Sequence, residues 1–253
     1  MVEALFWPAL LAYGEAALAY SSPRTARAAT WGARVGWLAQ TALLVVQAAR
    51  ADGFPWSSWA GSLNLFVWFV VGAYLIWGCR PRFRLLGLTV MPLAAALFLV
   101  AKLGGGIHGG SGSAYGNVFL VLHVGFVLAA FAGFTLAAAL AVLYLWQEGR
   151  LKSRAPDILS LRLPPLASLE RLTWRTVLVS LPLLTLGLVA GIVRSRQDRA
   201  GFDALEAVTL LTWAVYGAFI GLHPTGRRAA YLALGGFALV IVARLVLAGS
   251  HFT

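Results

Sequence analysis

Residues 117–146 begin Asn117-Val118-Phe119-Leu120-Val121-Leu122-His123 and continue VGFVLAAFAGFTLAAALAVLYLW to Trp146, without one Asp, Glu, Lys or Arg. A helix needs about 20 residues to cross the hydrocarbon core of a bilayer, and this stretch exceeds that. It is continuously apolar, without the alternation of a barrel strand, so it reads as a membrane helix. Its one histidine, His123, sits about two turns inside the first end.

Seven more apolar segments flank it, at approximately 2–20, 31–49, 60–78, 85–103, 174–193, 204–222 and 229–248. The chain of 253 residues is 60% hydrophobic and only 11% charged, with a mean hydropathy of +0.80. Soluble domains carry roughly 25% charged residues, so lipid must solvate most of this surface. The expected fold is an all-α polytopic membrane protein, a bundle of about eight transmembrane helices forming a single membrane domain over 1–253. The net charge of +11 does not point to nucleic acid, because the cations lie in short loops between apolar segments. A lone cysteine, Cys79, excludes an intrachain disulfide and a CxxC redox pair. Met1-Val2-Glu3 lacks a basic n-region, so the first segment reads as a span rather than a removable signal.

Alternate loops share the basic residues. They hold Arg24 and Arg27; Arg80, Arg82 and Arg84; Arg150, Lys152, Arg154, Arg162 and Arg171; and Arg227 and Arg228. The positive-inside rule turns these loops to the cytoplasm. The long connection 147–173 is then cytoplasmic, and both termini face outside. The opposite loops are 51–59, 104–116 and 194–203, the second of them rich in Gly and Ser.

This orientation places His123 and His251 on one outer face. An ionisable group in or near a span is costly and therefore a functional candidate. Two neutral imidazoles suit the axial positions of haem iron. The plain alternative is a helix-packing histidine and a terminal one. Between them runs Phe202-Asp203-Ala204-Leu205-Glu206. Asp203 suits an N-cap and Glu206 its capping-box partner, and both are also placed to orient a ligand. Arg244 lies seven residues before His251, on roughly the same helical face. It must snorkel or find a carboxylate, from Asp203, Glu206 or a haem propionate. Trp56 and Trp59 read as an interfacial aromatic belt or as a shelf for a flat ligand. Glu15, Gln40, Gln47, Asn64 and Lys102 are further polar residues in or near spans, while His108 and His223 read as solvated. No HExxH, GxSxG, Walker loop or CxxCH occurs.

Taken together, the second half resembles the cytochrome c assembly family of membrane proteins, the CcsA/CcmC/HemX-like group. The resemblance runs over roughly 117–253. It is carried by Leu122-His123-Val124 through Leu145-Trp146-Gln147-Glu148; by Leu169-Glu170-Arg171-Leu172 with Leu184-Thr185-Leu186-Gly187 and Gly191; by Asp203-x-x-Glu206 with Thr212-Trp213-x-x-Tyr216; and by Gly226-Arg227-Arg228-Ala229-Ala230-Tyr231 with His251-Phe252. In the first half only the span count and Ser62-x-Asn64 match.

The resemblance implies a multi-pass protein of a bacterial-type inner membrane. It also implies haem, here haem b, held by two outer histidines that match His123 and His251. Asp203 and Glu206 match the family's acidic pair. The tryptophans expected before the aspartate are absent, Phe202 standing just before it, and Ala204-Leu205 replaces a Pro-Lys. The short eight-span HemX-like branch is the most similar in outline.

The leading expectation is a haem-handling protein of cytochrome c assembly, more an assembly factor than a self-contained catalyst. His123 and His251 would be ligands and Arg244 a propionate partner. Phe202, Trp56 and Trp59 would cover the macrocycle. Expected partners are the lipid bilayer, haem, and other membrane or cytochrome-assembly proteins. The alternative is a HemX-like scaffold or regulator of haem biosynthesis without haem, docking through 147–173. A transporter is a weaker third, since Pro92 and Pro182 interrupt spans but no internal repeat accompanies them.

Overall fold

The structure, a computed structural model, describes residues 2–22, 24–50, 55–56, 58–78, 83–107, 118–153, 164–198 and 204–245; side chains are described at all of these except 2, 196–198, 204–205 and 243–245. The described residues are all helical in their regular structure. In order come α1 (Val2–Ala19), α2 (Ala26–Arg50), α3 (Trp59–Ala73), α4 (Arg84–Leu103), α5 (Val118–Lys152), α6 (Leu166–Asp198), α7 (Ala204–Leu222) and α8 (Gly226–Leu245). A π-helical turn, Tyr74–Gly78, extends α3. Among the described residues, four helical stretches are long and apolar enough to cross a membrane: Trp59–Trp77, Arg84–Leu103, Val118–Lys152 and Leu166–Ser195. Glu206–Leu222 is apolar but shorter.

The helices overrun the apolar segments that mark them. α5 continues to Lys152 and α6 already begins at Leu166, so much of the connection read as 147–173 is helix. Hydropathy marks where lipid ends, not where a helix ends. Glu148 and Lys152 form an i,i+4 ion pair at 2.7 Å that supports the polar last turns of α5. Pro164-Pro165 stands just before α6, where a missing N–H and a fixed φ favour a helix start. At 35 residues α5 is roughly 52 Å long, well beyond a hydrocarbon core of about 30 Å.

The chain divides into two compact units, Met1–Val121 and Leu122–Thr253. In the first, α1 and α2 pack through small residues. Ala29 and Ala33 are fully buried, and Gly36 lies so close to Tyr13 that an added Cβ would sit 2.6 Å from its ring. Lipid tails are as apolar as leucine, so close van der Waals packing of this kind drives helix association. Phe98 of α4 joins this core, with ring centroids 4.7 Å from Phe6 and 6.2 Å from Tyr13.

The first unit also buries a chain of polar side chains. The Tyr13 hydroxyl donates to Gln40 Oε1 at 2.7 Å. Gln40 Nε2 donates to Asn64 Oδ1 at 2.9 Å, Asn64 Nδ2 to Gln47 Oε1 at 3.0 Å, and Gln47 Nε2 to the Gly106 carbonyl at 2.9 Å. Gln40 and Asn64 are wholly buried and Gln47 nearly so. The chain joins α1, α2 and α3 to the turn after α4. Gly106 can enter that corner because a Cβ there would collide with the Ala60 carbonyl.

In the second unit Phe134 of α5 stacks on Tyr216 of α7 at 3.7 Å and 4°. The Tyr216 hydroxyl donates to the Ala233 carbonyl of α8 at 3.0 Å, and Gly236 leaves room for the ring. Gly133 brings α5 against Ser180 of α6 without space for a Cβ.

Candidate functional site

His123 lies in the second turn of α5 and is part-buried. Its Nδ1 is 2.7 Å from the Gly187 carbonyl of α6. A carbonyl can only accept, so the proton of the neutral ring sits on Nδ1 and Nε2 keeps its lone pair. Among the described residues nothing is hydrogen-bonded to Nε2. A backbone carbonyl that orients the first ring nitrogen is the usual second-shell arrangement of a metal-binding histidine.

The imidazole fits there because α6 has two glycines one turn apart, in Gly187-Leu188-Val189-Ala190-Gly191. A Cβ on Gly191 would sit 2.6 Å from His123 Nδ1 and 2.8 Å from Cε1. A Cβ on Gly187 would sit 2.7 Å from Val127 Cγ2. The small-xxx-small spacing lets the two helices approach, and the gap it leaves is filled by the ring. Both glycines stand in the stretches that carry the family resemblance. Their spacing was readable in the sequence, but the residue they would receive was not.

The other candidates are placed less completely. Glu206 is in the first turn of α7 and part-buried. Arg244 belongs to α8, with its side chain outside the description. Phe202, Asp203 and His251 lie outside the described residues, so the capping box and the second ligand fall there too. Trp56 and Trp59 belong to the first unit. Trp56 is part-buried and Trp59 is exposed at the start of α3, where its ring covers Gly104.

The far end of the second unit gathers three motif stretches that are distant in sequence. Glu148 of α5 accepts from Arg227 Nε at 2.9 Å and pairs with Lys152. Glu170 of α6 accepts the Gly226 backbone N–H at 3.0 Å, capping α8. Gly226 has φ +61, a left-handed conformation suited to glycine, and His223 shares that region at φ 46. His223 is exposed, as its sequence context suggested.

The described residues thus combine helices long and apolar enough to cross a membrane with a part-buried imidazole oriented by a backbone carbonyl. The comparisons with known proteins narrow this. Residues 56–250 match the model of the family described as Cytochrome C assembly protein. That covers most of the chain, and the protein belongs to this family. The match takes in α3 and α4 as well as the second unit.

The chain is similar to the cytochrome c biogenesis protein CcsA of Gloeothece citriformis, 26% identical over 85% of this chain and 83% of that protein. It is similar to CcsA of Guillardia theta, 26% identical over 81% and 77%. It is also similar to protein HemX of Brevibacillus brevis, 26% identical over 74% and 70%.

Proposed function

We propose that this protein is a haem-handling assembly factor for c-type cytochromes in a bacterial-type inner membrane, in which His123 would hold the iron of haem b. The observation that carries the reading is the His123 ring, held through Nδ1 by Gly187, with Nε2 bonded to none of the described residues and so able to donate its lone pair to a metal. Neutral imidazole is a fitting ligand for haem iron, so the residues present suit the group. Bound haem supplies the iron centre and a tetrapyrrole with two propionates. The chain's part is to hold the ring rotamer and its Nδ1–H tautomer. His251 is the proposed partner ligand, Arg244 the proposed partner of a propionate, and Asp203, Glu206 and Phe202 the proposed surround. The family resemblance supports His251, Asp203 and Glu206; Arg244 is supported by its place seven residues before His251, and Phe202 by standing next to Asp203. Both termini, on this reading, face outside.

The absorption spectrum of the purified protein, with and without added haem, tests this. A Soret band is expected, lost or strongly shifted in His123→Ala and in His251→Ala. No band under either condition would defeat the haem reading. A band unchanged in both variants would defeat the ligand assignment alone.

One feature favours a second reading. Residues 202–205 are Phe-Asp-Ala-Leu, without the tryptophans and Pro-Lys of haem-handling relatives. On that reading the protein is a non-enzymatic scaffold or regulator of haem biosynthesis. It would then co-purify with a soluble enzyme and show no Soret band.

A further inference from the structure

The end of the second unit away from His123 holds a cavity of about 290 Å³, formed by α6, α7 and the turn into α8. Arg171 and Gly187 are roughly 24 Å apart along α6, so this is not the His123 socket. Glu170, Arg171, Trp174, Phe219 and His223 line it. Its volume is at the low end of small-molecule sites, which run from about 300 Å³, and suits a headgroup.

The polar groups of the cavity are unevenly satisfied. Glu170 is engaged in capping α8 through Gly226. Arg171 is exposed and has no carboxylate partner among the described residues. Trp174 Nε1 is buried and has no acceptor among the described residues. Arg171 and the Trp174 indole, neither with a polar partner among the described residues, thus both line a cavity whose other walls include Phe219, Pro224 and His223, the Trp174 and His223 rings lying 5.9 Å apart. The missing chemistry is that of anionic oxygens attached to something apolar.

What adjoins the cavity says what that something is. Arg171, Leu178, Pro182 and Val189 follow one face of α6, at spacings of seven, four and seven. Leu178 and Val189 are 38% and 54% exposed. Pro182, about 16 Å along the axis from Arg171, is exposed as well. That distance is about half of a hydrocarbon core of ~30 Å, the depth of one leaflet.

We infer that this cavity binds the phosphate of an anionic phospholipid headgroup, with an acyl chain lying along Leu178 and Pro182. Guanidinium and indole N–H both donate to phosphate oxygens, and basic pockets between membrane helices are suited to such headgroups. Trp174 stands at the depth where tryptophan is favoured, between headgroup and chain. On the orientation set by the basic loops, the lipid belongs to the cytoplasmic leaflet. The inference does not rest on haem binding.

The full-length protein in detergent, given phosphatidylglycerol or phosphatidylcholine, tests it by native mass spectrometry of retained lipid. Phosphatidylglycerol is expected to be retained about fivefold or more over phosphatidylcholine, the ratio for one surface arginine. Arg171→Gln should abolish the preference and Trp174→Phe should reduce it. Arg24→Gln, which removes the same charge from the other unit, should leave it intact. Equal retention of the two lipids by the unaltered protein overturns the proposal, as does a preference that survives both cavity changes. A loss just as large in Arg24→Gln would assign the effect to overall charge and reject the site. Full displacement by millimolar inorganic phosphate would make the ligand free phosphate, against the lipid reading. If Arg171→Gln does not fold, Trp174→Phe decides, because it keeps an aromatic side chain there and removes the N–H donor.

Discussion

The two units spend their polar groups differently. In the first, Tyr13, Gln40, Asn64 and Gln47 satisfy one another in a buried chain that ends on the Gly106 carbonyl. In the second, the Thr176, Ser180 and Tyr216 hydroxyls are each spent on a backbone carbonyl, while among the described residues His123 Nε2 at one end and Arg171 and Trp174 Nε1 at the other have no bonded partner. A buried polar group that is fully paired costs little and specifies a packing; one left open can bind a ligand. The contrast separates a scaffold-like unit from one with free chemistry, even though both consist of four-helix stretches rich in Gly and Ala.

The largest effect is expected from breaking the buried chain. Asn64→Leu leaves Gln47 Oε1 without its Asn64 donor and removes one of the two acceptors of Gln40 Nε2, whose bond to the Asn64 backbone carbonyl at 3.1 Å remains. At about 1–3 kcal/mol for the orphaned Gln47 oxygen and about 1 kcal/mol for the lost Gln40 bond, the loss should be about 3 kcal/mol of stability. An unfolding titration would show it. Stability unchanged within error would mean the amides are passengers and would dissolve the contrast.

A smaller but more specific effect is expected at the His123 socket. Gly191→Ala drives a methyl into the imidazole, whereas Gly217→Ala meets nothing within 4 Å. The first should lower haem retention roughly 10–100-fold, the usual cost of disturbing a ligand's orienting shell, and the second should not. Equal behaviour of the two variants would remove any positioning role from the Gly187–Gly191 pair while leaving the haem reading itself intact.

The smallest effect is expected at the Glu148–Arg227 pair. Arg227 is half-exposed and Glu148 retains Lys152. Arg227→Gln should cost less than about 1 kcal/mol, and less again at high salt. A larger, salt-insensitive loss in a melting experiment would show that this end is as tightly organised as the amide chain.

Much of the fold was legible in advance because an apolar helix in lipid is marked by composition alone. The segments at 60–78 and 85–103 correspond closely to α3 with its π turn and to α4. The ends of α5 and α6 were less legible. Gln147, Glu148 and Lys152 are polar, and Arg171 and Arg175 are charged, so hydropathy stops before the backbone does. His123 was recognisable as a costly ionisable residue. Its orienting partner was not, because Gly187 acts through a backbone carbonyl, which no side-chain pattern reports.

Gln40, Gln47 and Asn64 stood out singly as polar residues in apolar surroundings. The sequence by itself therefore determined the all-helical class, the apolar stretches that lipid must solvate and the family, since these depend on composition and on ordered motifs. Only the tertiary structure decided which polar groups cancel and which remain open. That depends on where helices distant in sequence approach one another: α2 and α3 at Gln40 and Asn64, α5 and α6 at His123 and Gly187. A glycine is silent until something packs against it, and an amide is costly until another amide meets it.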